Sequence, residues 1–346
     1  MESKSLAVHK NPGLSTECYH NCRLSILMGQ DRLWPWIYSH FTNLKILIEN
    51  PLQFPMVRFE EHLEIYSEIL VEQPLKKVSS WVDSIKKNIE NDRYTLLFLN
   101  WRHIKDSTYF NGTEDIIHEA LLYGFNENEK VFLGLGFDVN GKTFGEFKLP
   151  YSECDQYIEN ILEEHLHHKR WFAYYGFPIC TLHLNPSYQP LFNTTTLFFA
   201  LDRSKAISKD VTAKGAFANG YYVPYFLSLY FQKLEQGFFL PDSESTLWNI
   251  NIYKMIQHKK FNIDMMNFIA KEYPNHKVIK RLIDFHTNSK KELLKLRSLS
   301  LKYQTNKKSD ILRDISDGFL KIYEIEKRIN AMFKDYLVRQ KVDKFS

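Results

Sequence analysis

From Ile311 to Tyr336, apolar side chains recur every third or fourth position, at Ile311, Ile315, Phe319, Ile322, Ile325, Ile329, Phe333 and Tyr336. A stripe sustained over about seven turns is one face of a long helix, and such a helix is stable only when that face is buried against other elements. From Tyr221 onward the pattern stays almost entirely helical. Gly318 lies inside the stripe, at a cost to the helix of about 1 kcal/mol that packing elsewhere absorbs.

Upstream the period changes from 3.6 to 2. The segments Tyr94–Leu99, Ile116–Gly124, Lys130–Phe137 and Thr143–Leu149 are short, apolar or alternating, and separated by Asn-Gly or Asn-Glu turns. This is the pattern of an antiparallel meander, and Asn140-Gly141 is its best hairpin signal. Helices are expected over Tyr19–Met28, Phe59–Leu70, Leu75–Ile89 and from Ser152 to about His168, while Leu33–Leu47 continues apolar with a break at Pro35. Further strands are expected at Ile179–Leu184 and Thr195–Leu201. The chain therefore reads as α+β over residues 1–205, followed by a mainly helical region over 206–346.

With 44% apolar residues in a chain of 346, a sizeable core is available and extended disorder is excluded. Cys18, Cys22, Cys154 and Cys180 are too few and too scattered for a disulfide scaffold, and no metal-finger spacing pairs them. The first residues lack the apolar core of a signal peptide, and no run reaches about 18 apolar residues. A soluble, cytoplasmic protein is expected. From Lys254 onward there are 22 Lys and Arg against 11 Asp and Glu, a net +11, whereas the rest of the chain is −7. A basic face of this kind attracts acidic partners; its plain reading is a solvated helical surface.

Three segments carry possible chemistry: Cys18 to Leu27, Asp115 to Asn126, and Val131 to Asp138. A cysteine at a helix start feels the positive end of the backbone dipole, which favours the nucleophilic thiolate. A strand histidine, His118, supplies a general base and acid, and a carboxylate one strand on, Asp138, fixes the imidazole's tautomer. Asn126 is the alternative orienting group. The plain readings are a buried apolar thiol for Cys18 and still more so for Cys22, a structural strand histidine, and a turn aspartate. Glu164 and His168 lie one helical turn apart but lack a third metal ligand. Gly134-Leu-Gly136 lacks the third glycine of a dinucleotide fingerprint. Trp101, Arg102 and His103 read best as an ordinary strand end.

The order Cys18, then His118 with Leu121-Leu122-Tyr123-Gly124-Phe125-Asn126, then Asp138 before Asn140-Gly141-Lys142, resembles the papain-like cysteine enzymes of the bacteriocin-peptidase type. More narrowly it resembles the butirosin biosynthesis protein H family of acyltransferases, one branch of which comprises the amide synthetases of closthioamide-type polythioamide assembly. The helical remainder, with Gly220-Tyr221-Tyr222 and Gln257-His258-Lys259-Lys260, is similar to the C-terminal half of that family. The resemblance implies a papain-like fold and catalysis by Cys18, His118 and Asp138. It implies a cysteine acyltransferase that takes an acyl or peptidyl group from the phosphopantetheine thioester of a carrier protein and passes it to an amine, such as a diamine. No metal or nucleotide cofactor, nucleic acid or membrane is implied. The glutamine that lends an oxyanion donor upstream of the cysteine has no match here, leaving Asn11 or backbone amides near Cys18 for that role. A cysteine hydrolase and a non-catalytic papain-like binding module are the alternative readings.

Overall fold

The computed structural model describes residues 2–12, 18–48, 54–76, 78–164, 177–238, 247–272 and 276–342; the side chains of residues 18, 19, 276, 341 and 342 lie outside the description. In chain order the elements are β1 (Ser3–Ser5), α1 (Cys18–Met28), α2 (Trp34–His40), β2 (Leu44–Ile48), β3 (Pro55–Phe59), β4 (Leu70–Pro74), α3 (Trp81–Glu90), β5 (Tyr94–Asn100), β6 (Ile117–Asn126), β7 (Val131–Val139) and β8 (Lys142–Pro150). There follow α4 (Tyr151–Glu164), β9 (Ile179–Leu184), α5 (Thr194–Asp202), β10 (Phe217–Asn219), α6 (Tyr222–Glu235), α7 (Leu247–Glu272), α8 (His276–Asn306) and α9 (Ser309–Val342).

Two compact units emerge, one built from residues 1–34 and 63–190 and the other from 35–62 and 191–346. The chain is thus divided differently from a simple cut near residue 205, because 35–62 is claimed by the second unit. There β2 pairs with β3 and with β10, Ile46 lying opposite Ala218. The Asn251 amide, on α7, spans the Pro55 carbonyl and the Val57 N–H.

The first unit is organised by an antiparallel sheet in the order β4-β9-β5-β6-β7-β8, with β1 added to β6. Every residue of β5 is buried, as expected of a strand covered on both faces. Trp81, Ile85 and Ile89 recur every four residues on α3 and share one core with Cys154 and Ile158 of α4 and Leu97, Leu99 and Ala120 of the sheet. Ser80 caps α3, its Oγ accepting from the Asp83 N–H at 3.2 Å. The β7–β8 hairpin turns at Asn140-Gly141 with φ of 50° and 74°, the left-handed pair that the sequence calls for. Gly136 is demanded by packing: a Cβ there would lie 2.3 Å from the Trp101 ring.

In the second unit α6, α7, α8 and α9 pack against one another. The terminal stripe is buried except at Ile325, which is half-buried, and Gly318 of α9 is the point where Leu296 of α8 comes closest, 2.3 Å from where a Cβ would stand. Three expected elements differ. The run Thr195–Leu201, expected as a strand, is helical, because Asn193 Oδ1 accepts from the N–H groups of both Thr195 and Thr196 at 3.0 Å and starts a helix. The helix expected over Phe59–Leu70 is instead the end of β3, a 3-10 turn over Leu63–Glu68 and the start of β4. Its apparent periodicity comes from residues such as Tyr66 and Ile69, buried singly as the chain passes from one sheet to the other. Of the expected helix Leu75–Ile89, only the part from Trp81 is helical. Among the described residues, no helix is long and apolar enough to cross a membrane.

Candidate functional site

Helix α1 begins at Cys18, and from His20 to Met28 every residue is buried. A helix buried on all sides must satisfy each polar side chain internally. His20 Nδ1 lies 2.9 Å from the Tyr66 hydroxyl. Arg23, 1% exposed, donates to both oxygens of Glu72 at 2.9 and 2.7 Å, with Glu119 3.7 Å away. The Asn21 side-chain amide and the Ser25 hydroxyl have no hydrogen-bond partner among the described residues.

α1 packs against β6 and β7, the strands of the other two candidates. Side chains alternate along a strand: Ala120 joins the core shared with α3 and α4, so Glu119 turns to the opposite face, where Arg23 meets it. The same alternation assigns His118, the second residue of β6, to the Ala120 face. Its ring stacks on Phe137 of β7, with centroids 4.6 Å apart and planes 16° from parallel, and Phe137 stacks in turn on Phe110. His118 Nδ1 accepts from the Glu119 N–H at 3.0 Å, so the neutral ring carries its proton on Nε2. Burial pushes its pKa down to about 4.

Asp138 is 3% exposed and follows Phe137 directly, with φ of 53°. Its Oδ2 accepts from the Ser107 hydroxyl and from the Tyr109 N–H, both at 2.7 Å, which ties the 107–109 loop to the end of β7. His118 and Asp138 are thus brought to neighbouring strands, with the carboxylate engaged by that loop. Asn126 lies at the opposite end of β6, where its Oδ1 caps the turn to β7 by accepting from the N–H groups of Asn128 and Glu129. Asn11 is exposed, its N–H bonded to His9 Nδ1. The side chain of Cys18, residues 13–17 and His165 to His168 lie outside the described residues.

Cys22, Cys154 and Cys180 are buried. Burial drives the Cys154 thiol pKa well above its usual value and that of Cys180 up to about 12, in the second case reinforced by Glu72 and opposed by Arg23. Trp101 is fully buried, and Arg102 pairs with Asp115 at 3.4 Å, as suits a strand end. Sequence reasoning passed over Arg23, Glu72, Glu119 and Asn21. The available signal was an arginine placed among Cys22, Leu24, Ile26 and Leu27, since a cation inside an apolar helix requires a buried acid. Comparison with the profiles of known protein families gives no match, and comparison with curated protein sequences gives none either.

Proposed function

We propose that this chain is a cysteine acyltransferase of papain-like fold, acting through Cys18, His118 and Asp138. The observation that carries the reading is the docking of α1, which opens at Cys18, on the strand pair that bears His118 and Asp138. Arg23 stands about 7.5 Å of helix rise beyond Cys18 and reaches the residue next to His118, which fixes the helix against β6. Because His118 shares the Ala120 face and Arg23 meets the opposite one, the reading requires the sulfur to reach the ring around the end of β6.

His118 takes the proton of the Cys18 thiol, and the resulting thiolate, favoured by its place at the helix start, attacks the thioester carbonyl of an acyl or peptidyl group carried on phosphopantetheine. The carrier thiol departs with a proton from the imidazolium. An amine then attacks the acyl-enzyme, its proton passes to His118, and the Cys18 thiolate leaves as the amide forms. Abstraction of a proton needs an imidazole lone pair, and His118 Nδ1 engages its own with the Glu119 N–H, so the ring turns before it acts. Asp138 holds the loop beside this ring. The basic stretch from Lys254 onward suits the acidic surface of a carrier protein.

Intact-protein mass spectrometry tests the reading. Incubation with an acyl-loaded carrier protein adds the acyl mass to the parent and to Cys22→Ala, and nothing to Cys18→Ala. Added diamine discharges the acyl-enzyme as an amide. Free acid as the sole product identifies a hydrolase instead, and a folded parent that takes up neither acyl group nor alkylating reagent at Cys18 identifies a binding module.

A further inference from the structure

The helical unit holds a cavity of about 50 Å³ lined by residues of α5 to α9 and of the turn before β2. One water needs about 10–15 Å³ of such space, so the cavity suits a molecule of about four heavy atoms. Its two full charges are already satisfied: Lys259 Nζ lies 2.6 Å from Glu326 Oε2, and Glu326 Oε1 accepts from the Ser289 hydroxyl at 2.6 Å. The lining therefore presents no net charge to a ligand.

What it does present is a group of unspent hydrogen-bonding atoms. His258 Nε2 lies 2.7 Å from the Thr42 carbonyl, which can only accept, so Nε2 carries the hydrogen. Burial first, and Lys259 next, keep the ring neutral, leaving Nδ1 as a bare lone pair. That atom, Asn262 Oδ1 one helical turn further along α7, the Ser204 and Thr42 hydroxyls and His286 Nδ1 have no hydrogen-bond partner among the described residues. All five residues are at most 5% exposed, and all five line the same cavity. Native interiors leave few such atoms unsatisfied, and a cluster of them around one space is a ligand-shaped deficit. Met255 and Met265 supply an apolar wall.

We propose that this cavity binds a small, neutral primary carboxamide. Two acceptors, His258 Nδ1 and Asn262 Oδ1, match the two N–H donors of the amide nitrogen. The Ser204 and Thr42 hydroxyls match its carbonyl, and a short alkyl end meets the methionines. The assignment is independent of the acyl-transfer reading.

The test uses acetamide as the probe and the full-length protein labelled with ¹⁵N. Acetamide at millimolar concentration gives a saturable shift of the His258 Nδ1 resonance, in the direction of a newly hydrogen-bonded lone pair, and raises the melting temperature. Acetate and ethylammonium do neither. Asn262→Leu weakens binding roughly tenfold or more. Should that variant fold poorly, Ser204→Ala, which removes a hydroxyl without adding bulk, weakens it in the same sense. The proposal is overturned if acetamide leaves Nδ1 unshifted, in which case the cavity holds water alone, or if acetate or ethylammonium binds as well as acetamide.

Discussion

Each unit buries an ion pair, and the two are served differently. Arg23 in the sheet unit meets both oxygens of Glu72 from β4 and approaches Glu119 from β6, so the planar guanidinium is matched by acids from two strands. Lys259 in the helical unit has a single carboxylate oxygen, and beside it lie the unsatisfied atoms of His258, Asn262 and Ser204. The sheet's regular hydrogen bonding fixes where acids can stand, and Arg23 uses those positions closely. Among the described residues both units leave polar atoms unsatisfied, Asn21 and Ser25 on the helix of Arg23 included, but in the helical unit helices meet only through side chains and such atoms line one cavity.

The largest effect expected follows from that contrast. Arg23→Met removes the cation that faces Glu72 and the buried Glu119, and urea unfolding should show a loss of about 3–5 kcal/mol. Lys259→Met should fall at the lower end of the same range, since Glu326 keeps its bond from Ser289. Removing both charges, in Lys259→Met with Glu326→Leu, should recover most of the loss. A larger cost at Lys259 than at Arg23 would reverse the comparison.

The same contrast explains what could be read from the residues. The meander from β5 to β8 is legible because neighbouring strands are neighbours in sequence, and Asn140-Gly141 encodes its turn locally. The α9 stripe is legible because one side of one helix carries it. The sheet of β2, β3 and β10 is not, since Ile46 meets Ala218 only after a long excursion. Nor does the run Thr195–Leu201 declare itself helical until Asn193 is seen to cap it. At the candidate site, the strand positions of His118 and Asp138 follow from spacing. The engagement of Asp138 by Ser107 and Tyr109 depends on a loop about thirty residues away that spacing does not reveal.

A smaller effect separates two glycines. Gly136→Ala drives a methyl group into the Trp101 ring, whose Nε1 donates to the His118 carbonyl, and overpacking against so rigid a neighbour should cost about 3 kcal/mol. Gly318→Ala meets only a methyl of Leu296 and gains about 1 kcal/mol of helix propensity, so its net cost should be about 1 kcal/mol. Thermal melting of the two variants ranks them. Equal costs would mean that the helical unit is packed as stiffly as the sheet.

The smallest effect is a slope. His118, His258 and His286 are all held below the ordinary value of 6.5 by burial. The unfolded chain therefore takes up protons at these sites first, and their share of the stability is complete above pH 6.5 and lost as pH falls; for His118 the loss ends near pH 4. His118→Phe should reduce the proton uptake on unfolding between these limits by at most one, measured from denaturation midpoints against pH. The same substitution at His258 should do likewise in the other unit, and a slope left unchanged by either would show that ring to be charged when folded.

The interleaving of the two units has a temporal side. β2 leaves the ribosome about 170 residues before β10, the strand that completes its sheet. At about 5–20 residues per second this is a wait on the order of ten to thirty seconds. Throughout it, an apolar strand edge stands open while the surrounding meander is already able to close. A nascent chain stalled in that interval would expose Leu44, Ile46 and Ile48 to chaperones, and a fragment ending at residue 190 would carry the same unfinished edge permanently.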